Sequence, residues 1–281
     1  MKTIWKIAKA ELQYFFYSPV AWLIFVVFAI QAGLAYTGVF DELIRTQLLG
    51  YTQSNLTYAN FANSWRGMFV IVQNYLYLYI PLLTMGVMSR ELGSGSINLL
   101  YSSPVRNSYI ILGKYLALVF FCFSIVGILS VYSVFSIATI QHADIPLILS
   151  GLLGIFLLIC SYAAVGLFMS SLTSYQIVAA VGTIAILAIM NYIKGVGQEI
   201  EFVRDITYWL AMPGRSSNLI SGLICSEDVI YFLAIISLFI SFAVIRLKGR
   251  REKRKWYATV GRFLGAFLIV ALVDSRFFKH H

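Results

Sequence analysis

The sequence predicts an all-α protein that crosses a membrane several times, with an amphipathic helix before six spans and one further apolar segment after them. Three observations predict this fold class. Of the 281 residues, 60% are hydrophobic and 12% are charged, whereas about a quarter of the residues of a water-soluble domain are charged. Apolar runs of about 20 residues, enough to cross a bilayer as a helix, recur along the chain. The lysines and arginines are concentrated between these runs.

The first 17 residues predict an amphipathic helix that lies along one surface of the membrane. Lys2, Lys6, Lys9 and Glu11 alternate with aliphatic and aromatic side chains at near-helical spacing. This basic amphipathic pattern is typical of helices in the membrane interface. The apolar run that follows is too long for a secretory signal and has no small-residue cleavage site after it, so we expect the N-terminus to be retained.

Six apolar runs predict the membrane spans. Ser18 and Pro19 break the amphipathic pattern, and proline is well tolerated in the first turn of a helix. The predicted spans are about 20–40, 67–88, 109–140, 146–168, 175–193 and 229–245. Asp41 and Glu42 are expected to end the first span. The third run is longer than a bilayer requires, so we expect it to protrude from the membrane or to tilt.

Two connections between the predicted spans are long. Residues 43–66 are polar and aromatic with little apolar periodicity, which indicates a loop. Residues 194–228 carry apolar side chains at helical spacing on both sides of Pro213 and Gly214. Since proline and glycine are typical of turns, these residues predict a helical hairpin that reverses at the Pro-Gly pair. An ordinary surface loop is the alternative.

The distribution of charge predicts that the N-terminus is cytoplasmic. With that orientation, the cytoplasmic segments hold 14 of the 21 lysines and arginines. The outer segments hold 9 of the 12 acidic residues. This bias agrees with the positive-inside rule, and the inverted topology contradicts it.

The C-terminal part of the chain combines a basic run with a short apolar segment. Seven of the ten residues 246–255 are basic. Without interleaved aromatic residues, this run is better explained by contact with anionic lipid headgroups than by nucleic-acid binding. The candidate headgroup contacts are Arg250, Arg251, Lys253, Arg254 and Lys255. Residues 256–273 are just long enough for a seventh span.

Residues for catalysis or cofactor binding are scarce in this sequence. The predicted spans contain almost no ionisable side chains, which counts against a proton-coupled transporter and an intramembrane enzyme. The three cysteines and three histidines have no metal-ligand spacing. Gly93 to Ser96 is not followed by the lysine of a phosphate-binding loop. We therefore expect no cofactor, and a transporter driven by ATP needs a separate ATPase.

Several short motifs lie at the boundaries of the predicted spans. They are Ser18-Pro19-Val20-Ala21-Trp22; Glu91, Gly93, Ser94, Leu99 and Leu100; Ser103-Pro104-Val105; Leu112-Gly113-Lys114-Tyr115; residues 166–168 and 171–173 with Gln176; and residues 221–223 and 228–232. Together, over about residues 5–251, they resemble the ABC-2 type exporter permeases, and among these the gliding-motility-associated ABC transporter permease branch. One position differs, because Asn98 stands where members of that family often have glutamate.

The resemblance implies a permease of the bacterial inner membrane that is not itself an enzyme. Residues 1–17 are then the interfacial helix, 18–250 the six-helix ABC-2 type transmembrane domain, and 251–281 a basic juxtamembrane segment with an extra apolar segment. The resemblance also implies a homodimer, or a pair with a related permease, in which each chain docks one separate ATPase. A membrane scaffold of a secretion or gliding-motility machine, without transport of its own, is the alternative function.

The polar connection between the second and third spans is the best candidate for the surface that an ATPase contacts. A short helix is expected here, between Gly93 to Ser96 and Pro104, with an apolar face. The candidate contact residues are Arg90, Glu91, Ile97, Asn98, Leu99, Leu100 and Arg106. The alternative is that the apolar residues of this set pack on the protein's own helices.

Overall fold

A computed structural model describes residues 2–50, 55–64, 66–102, 105–140, 142–193 and 211–251. Within these ranges the chain forms helices and no strand. In chain order the helices are α1 (Lys2–Tyr17), α2 (Pro19–Leu48), α3 (Leu56–Phe61), α4 (Met68–Thr84), α5 (Gly86–Ser94), α6 (Ile97–Ser102), α7 (Asn107–Thr139), α8 (Ile145–Leu172), α9 (Gln176–Tyr192), α10 (Met212–Ile220) and α11 (Ser226–Arg251). The predicted all-α fold is confirmed for this part of the chain.

Five helical segments of the described residues are long and apolar enough to cross a membrane. They are α2, the α4–α5 pair, α7, α8 and α11. The remaining predicted span corresponds to α9, whose 17 residues fall short of the roughly 20 that a bilayer takes. Residues 194–210, which follow α9, and the predicted seventh segment at 256–273 lie outside the described residues.

The long helices extend beyond the thickness of a bilayer. Helix α7 has 33 residues, which at 1.5 Å per residue is about 50 Å, against a hydrocarbon core of about 30 Å. Helix α2 also continues past Asp41 and Glu42 to Leu48. These carboxylates were predicted to end the first span, and that boundary stays a prediction, because acidic side chains exposed to water are compatible with a helix that extends beyond the membrane. The helix is followed by Gly50, whose φ of 82° favours glycine.

Helix α8 lies at the centre of the bundle. It contacts α3, α4, α5, α7, α9, α10 and α11. Two glycines on α8 allow close approach: a Cβ on Gly154 would lie 2.7 Å from the Cβ of Leu219, and one on Gly166 would overlap the hydroxyl of Thr84. Small residues of this kind are typical of helix contacts inside membranes.

The second half of the predicted hairpin is helical, but the chain does not reverse at the Pro-Gly pair. Pro213 occupies the first turn of α10 and Gly214 continues that helix, because proline fits a helix start, where its missing N–H is not needed. The reversal comes at Gly222, with a φ of 90° and an N–H that donates to the carbonyl of Leu219 at 3.1 Å. The first half of the hairpin, residues 194–210, lies outside the described residues.

Candidate functional site

The end of the bundle that carries α1, called the α1 end below, is built around the contact of α1 with α7. A Cβ on Gly113 of α7 would lie 2.8 Å from the Cβ of Ile7 and 3.1 Å from the carbonyl oxygen of Ile4. Further along both helices, the rings of Phe15 and Phe121 are 5.5 Å apart. The absence of a side chain at Gly113 therefore allows α1 to pack tightly along the beginning of α7.

Lys114, the residue after this glycine, is buried between three helices. Its side chain is 1% exposed, and Nζ donates to Glu11 Oε1 of α1 at 2.5 Å and to Glu91 Oε1 of α5 at 2.7 Å. A third bond, of 3.0 Å, reaches the carbonyl of Val87. An ammonium group has three N–H donors, and all three are used here. Such full pairing is what allows a charge to be buried.

Arg90 completes this charged cluster. Its guanidinium lies 3.8 Å from Glu11 Oε2 and 3.4 Å from the centre of the Tyr14 ring. A cation over an aromatic face is attracted by the negative face of the ring. The cluster thus contains two carboxylates, Glu11 and Glu91, and two cations, Lys114 and Arg90, so that its formal charges cancel.

The junction between α4 and α5 is held by a serine from α8. The hydroxyl of Ser170 accepts the N–H groups of Met88 and Ser89 at 2.9 and 3.0 Å and donates to the carbonyl of Met85 at 2.9 Å. A side chain inserted in this way interrupts the i to i−4 hydrogen bonds of the helix. Helix α5 is therefore oriented by α8 as well as by Lys114.

The predicted short helix is present as α6, and its residues divide between the two expected roles. Gly95, with a φ of 76°, ends α5, and α6 begins at Ile97. Ile97 is only 6% exposed and packs in the protein's own core, whereas Leu99 is 76% exposed. Asn98 and Arg106 are also exposed, and the side chain of Leu100 is not among the described side chains. The candidates Arg90 and Glu91 lie in the charged cluster, where their side chains are 29% and 17% exposed.

The far end of α6 is connected to the last helix of the described residues. The guanidinium of Arg251 donates to the carbonyls of Tyr101 at 2.9 Å and Val105 at 3.1 Å, and to Asn107 Oδ1 at 3.0 Å. Burial raises the pKa of the Tyr101 phenol, although Arg250 and other arginines nearby act in the opposite direction. Arg251 was predicted to contact lipid, and Lys253, Arg254 and Lys255 of the same set lie outside the described residues. Lipid contact by this set stays a prediction.

Comparison with known families decides the class of this protein. The family described as ABC-2 family transporter protein matches residues 5–200, which is well over half of the chain. The chain belongs to the ABC-2 transporter family. A comparison with curated proteins found no match. With its long apolar helices, this ABC-2 protein is a multi-pass membrane protein and a component of membrane transport.

The structure gives physical roles to motifs that the ABC-2 resemblance pointed to. Gly113 admits α1, Lys114 joins three helices, and the hydroxyl of Tyr115 donates to the carbonyl of Cys160 on α8 at 3.1 Å. Gly93 allows α5 to lie beside the α8–α9 turn, because a Cβ there would lie 2.9 Å from the carbonyl of Ser174. These motifs meet at the α1 end of the ABC-2 protein.

Several of these contacts were missed by the sequence analysis. Glu11 was noted only in the charge pattern of the amphipathic helix, Lys114 only in that pattern and in the Leu112-Gly113-Lys114-Tyr115 motif, and Ser170 was not singled out. The available signal was Lys114 itself, a charged residue directly after a glycine in an apolar run, since such a residue needs an acidic partner. Among the described residues, no group of three or more His, Cys, Asp or Glu side chains is placed to hold a metal ion.

Proposed function

We propose that this protein is the permease subunit of an ATP-driven ABC exporter, and that a separate ABC ATPase docks on the coupling segment, residues 90–106. The exposure of Leu99 carries this proposal. It is a large apolar side chain, 76% exposed, on a short helix at the α1 end. An exposed apolar residue flanked by polar ones is a common centre for a protein contact, because its burial excludes water.

The anchoring of the coupling segment supports this role. Glu91 is bound by Lys114 at one end of the segment, and the carbonyls of Tyr101 and Val105 are bound by Arg251 at the other. A surface that passes on the movement of a partner must itself be fixed to the elements that respond. Both anchors connect the segment to long helices, α7 and α11, so a displacement of α6 reaches the membrane.

Charge supports placing the α1 end in the cytoplasm of a bacterial cell, where ATP is available. The exposed Lys2, Lys6 and Lys9 lie on α1, and the last turn of α11 holds Lys248, Arg250 and Arg251. The opposite ends of the long helices carry acidic residues, among them Asp41, Glu42 and Glu227. This arrangement follows the positive-inside rule for an inner-membrane protein with a cytoplasmic N-terminus.

The proposal includes a pair of permease chains, each with one ATPase, as the family resemblance implies. ATP binding draws the two ATPases together and shifts the equilibrium between two conformations of the permeases. Large apolar side chains on α2 and α9, such as Leu23, Leu34, Ile177 and Val181, are exposed and face lipid or the second chain. Within the family we assign the protein to the gliding-motility-associated branch, on the motifs described above.

Replacing Leu99 by aspartate tests the docking surface. Because Leu99 is exposed, Leu99→Asp should fold and insert normally. A carboxylate at a dry interface removes the apolar gain of about 1.5–3 kcal/mol and adds a desolvation cost, so affinity for the ATPase should fall about 100-fold or more. The measurement is co-purification of the permease with a co-expressed ABC ATPase, followed by assay of ATPase stimulation in nanodiscs.

Leu48→Asp is the matched control. Leu48 is 82% exposed at the far end of α2, so this variant should retain the ATPase. Ile97→Asp should instead impair folding, because Ile97 is buried. Wild-type binding by Leu99→Asp would refute the docking site, and an ATPase that binds but is never stimulated would favour the scaffold alternative.

A further inference from the structure

Two interruptions of helical structure line one cavity at the α1 end. The first is Ser18, between α1 and α2, with Pro19 as the first residue of α2, and the second is Met85, between α4 and α5. The cavity has a volume of about 90 Å³, and its lining includes Ser18, Met85 and the neighbouring Gly86. This is room for several water molecules, so neither interruption is tightly packed on that side.

Each interruption lacks part of the hydrogen bonding that stiffens a helix. Pro19 has no N–H to continue the backbone ladder from α1 into α2, and the indole of Trp22 donates across this break to the carbonyl of Phe16 at 2.7 Å. Past Met85, two backbone N–H groups bond to Ser170 of α8 in place of their own helix. Bending at these two points therefore costs less than bending within either helix.

The elements on the cytoplasmic side of both breaks are joined to each other. Lys114 binds Glu11 of α1 and Glu91 of α5, across 103 and 23 residues of chain. Arg90 lies between Glu11 and the Tyr14 ring, and Ile7 is held against Gly113. Separating α1 from α5 requires breaking a buried charged cluster, which is far more costly than bending at the two breaks.

We propose that Lys114 is a positioning residue that joins α1 to the coupling segment. Through Lys114 of α7, α1 and α5 move together when the ATPase displaces α6, and their movement relative to α2 and α4 is taken up at Ser18–Pro19 and at Met85. This inference rests on the proposed function. It assigns to α1 a part in transmission as well as in membrane attachment, because movement of α1 is passed through Pro19 to α2.

The link that Lys114 makes between α1 and the coupling segment is tested by measuring distances between spin labels. Gln13→Cys on α1 and Ser102→Cys on α6 are both at exposed positions outside the candidate ATPase contacts, and Cys225→Ser removes the exposed native cysteine, while Cys122 and Cys160 are buried. The perturbation is Glu11→Gln, which weakens the attachment of α1 to Lys114 but leaves Lys114 paired with Glu91, so that the protein still folds. Lys9→Met, at an exposed lysine of the same helix, is the control.

In nanodiscs that contain the permease alone, the wild type and Lys9→Met should give one narrow distance distribution. Glu11→Gln weakens a charged hydrogen bond, so the population with α1 detached should rise about tenfold. With the co-expressed ATPase, ATP and vanadate, the distance between residues 13 and 102 should stay constant in the wild type. The distance from residue 102 to a label at Tyr192→Cys should change.

The proposal would be overturned if the Glu11→Gln variant gave the same distance distribution as the wild type. It would also be overturned if the α1–α6 distance in the wild type changed on ATP binding. Failure of the ATPase to bind would instead overturn the proposed function. In that case the measurement on the permease alone still decides whether Lys114 joins α1 to the segment. A second readout is that Glu11→Gln should keep the ATPase bound but lose its stimulation, which a purely structural role of Glu11 does not predict.

Discussion

The two ends of the bundle each contain a buried ion pair, but the pairs connect different parts of the chain. At the opposite end, Arg215 of α10 lies 3.3 Å from Asp228 of α11, only 13 residues away in sequence, and Asn218 adds a bond of 3.2 Å to the same carboxylate. At the α1 end, Lys114 reaches a partner 103 residues away. The Arg215–Asp228 pair connects two helices that follow one another in the sequence, whereas Lys114 connects helices from three separate regions of the sequence.

This difference indicates what each end is built to do. A local pair fixes the shape of a connection and leaves the rest of the bundle independent of it. A pair between distant elements transmits displacement from one element to the others. Loss of the local pair should therefore affect stability alone, and loss of the distant pair should affect stability and coupling together.

Lys114→Met is expected to give the largest effect. Both Glu11 and Glu91 lose the cation that they share, and breaking a buried pair by removing one partner costs about 3–5 kcal/mol. The free energy of unfolding, measured in mixed micelles, should fall by about this amount. Lys9→Met should change it by no more than about 0.5 kcal/mol, because Lys9 is exposed. Equal stability of the two variants would mean that the cluster is not buried as described.

Asp228→Asn is expected to give an intermediate effect, confined to stability. The amide keeps the shape of the carboxylate but loses its charge toward Arg215, so the loss should be about 1.5–3 kcal/mol. ATPase stimulation per folded permease should be unchanged. A loss of stimulation comparable to that of Glu11→Gln would break the contrast between the two ends.

Arg66→Gln should have the smallest effect. Arg66 pairs with Glu42, but their side chains are 63% and 50% exposed. Exposed pairs contribute between about 0 and 1 kcal/mol because water competes with the contact. Thermal unfolding of this variant should therefore resemble that of the wild type at physiological salt, and a loss as large as that of Asp228→Asn would show that the pair is shielded from water.

Much of the fold could be predicted from local sequence pattern. Long apolar runs determine the spans, since a bilayer requires a continuous helix of apolar side chains. The break at Ser18 and Pro19 was also predictable from the geometry of proline. The end of α2 was not, because exposed carboxylates and single glycines are both compatible with a helix: α2 contains Gly33 and Gly38 and continues past Asp41 and Glu42 to Leu48, just before Gly50.

The candidate site was only partly predictable. The short helix α6 follows from Gly95 and the apolar residues after it, but the division between buried Ile97 and exposed Leu99 depends on packing against other elements. The contacts of Lys114 and Arg251 join elements far apart in the sequence, and a single amino-acid sequence carries no signal of such pairing. The same limit applies to Ser170, whose bonds to α5 cross 81 and 82 residues.

The distance along the chain between Glu11 and Lys114 also imposes an order on biogenesis. A ribosome makes Glu11 103 residues before its buried partner, so α1 emerges when neither α5 nor α7 exists. Until then, α1 lacks its buried partners, and the contact with the membrane surface that its amphipathic face predicts is what we expect to hold it. Docking of α1 is thus a late step of assembly, completed after the third span has been inserted.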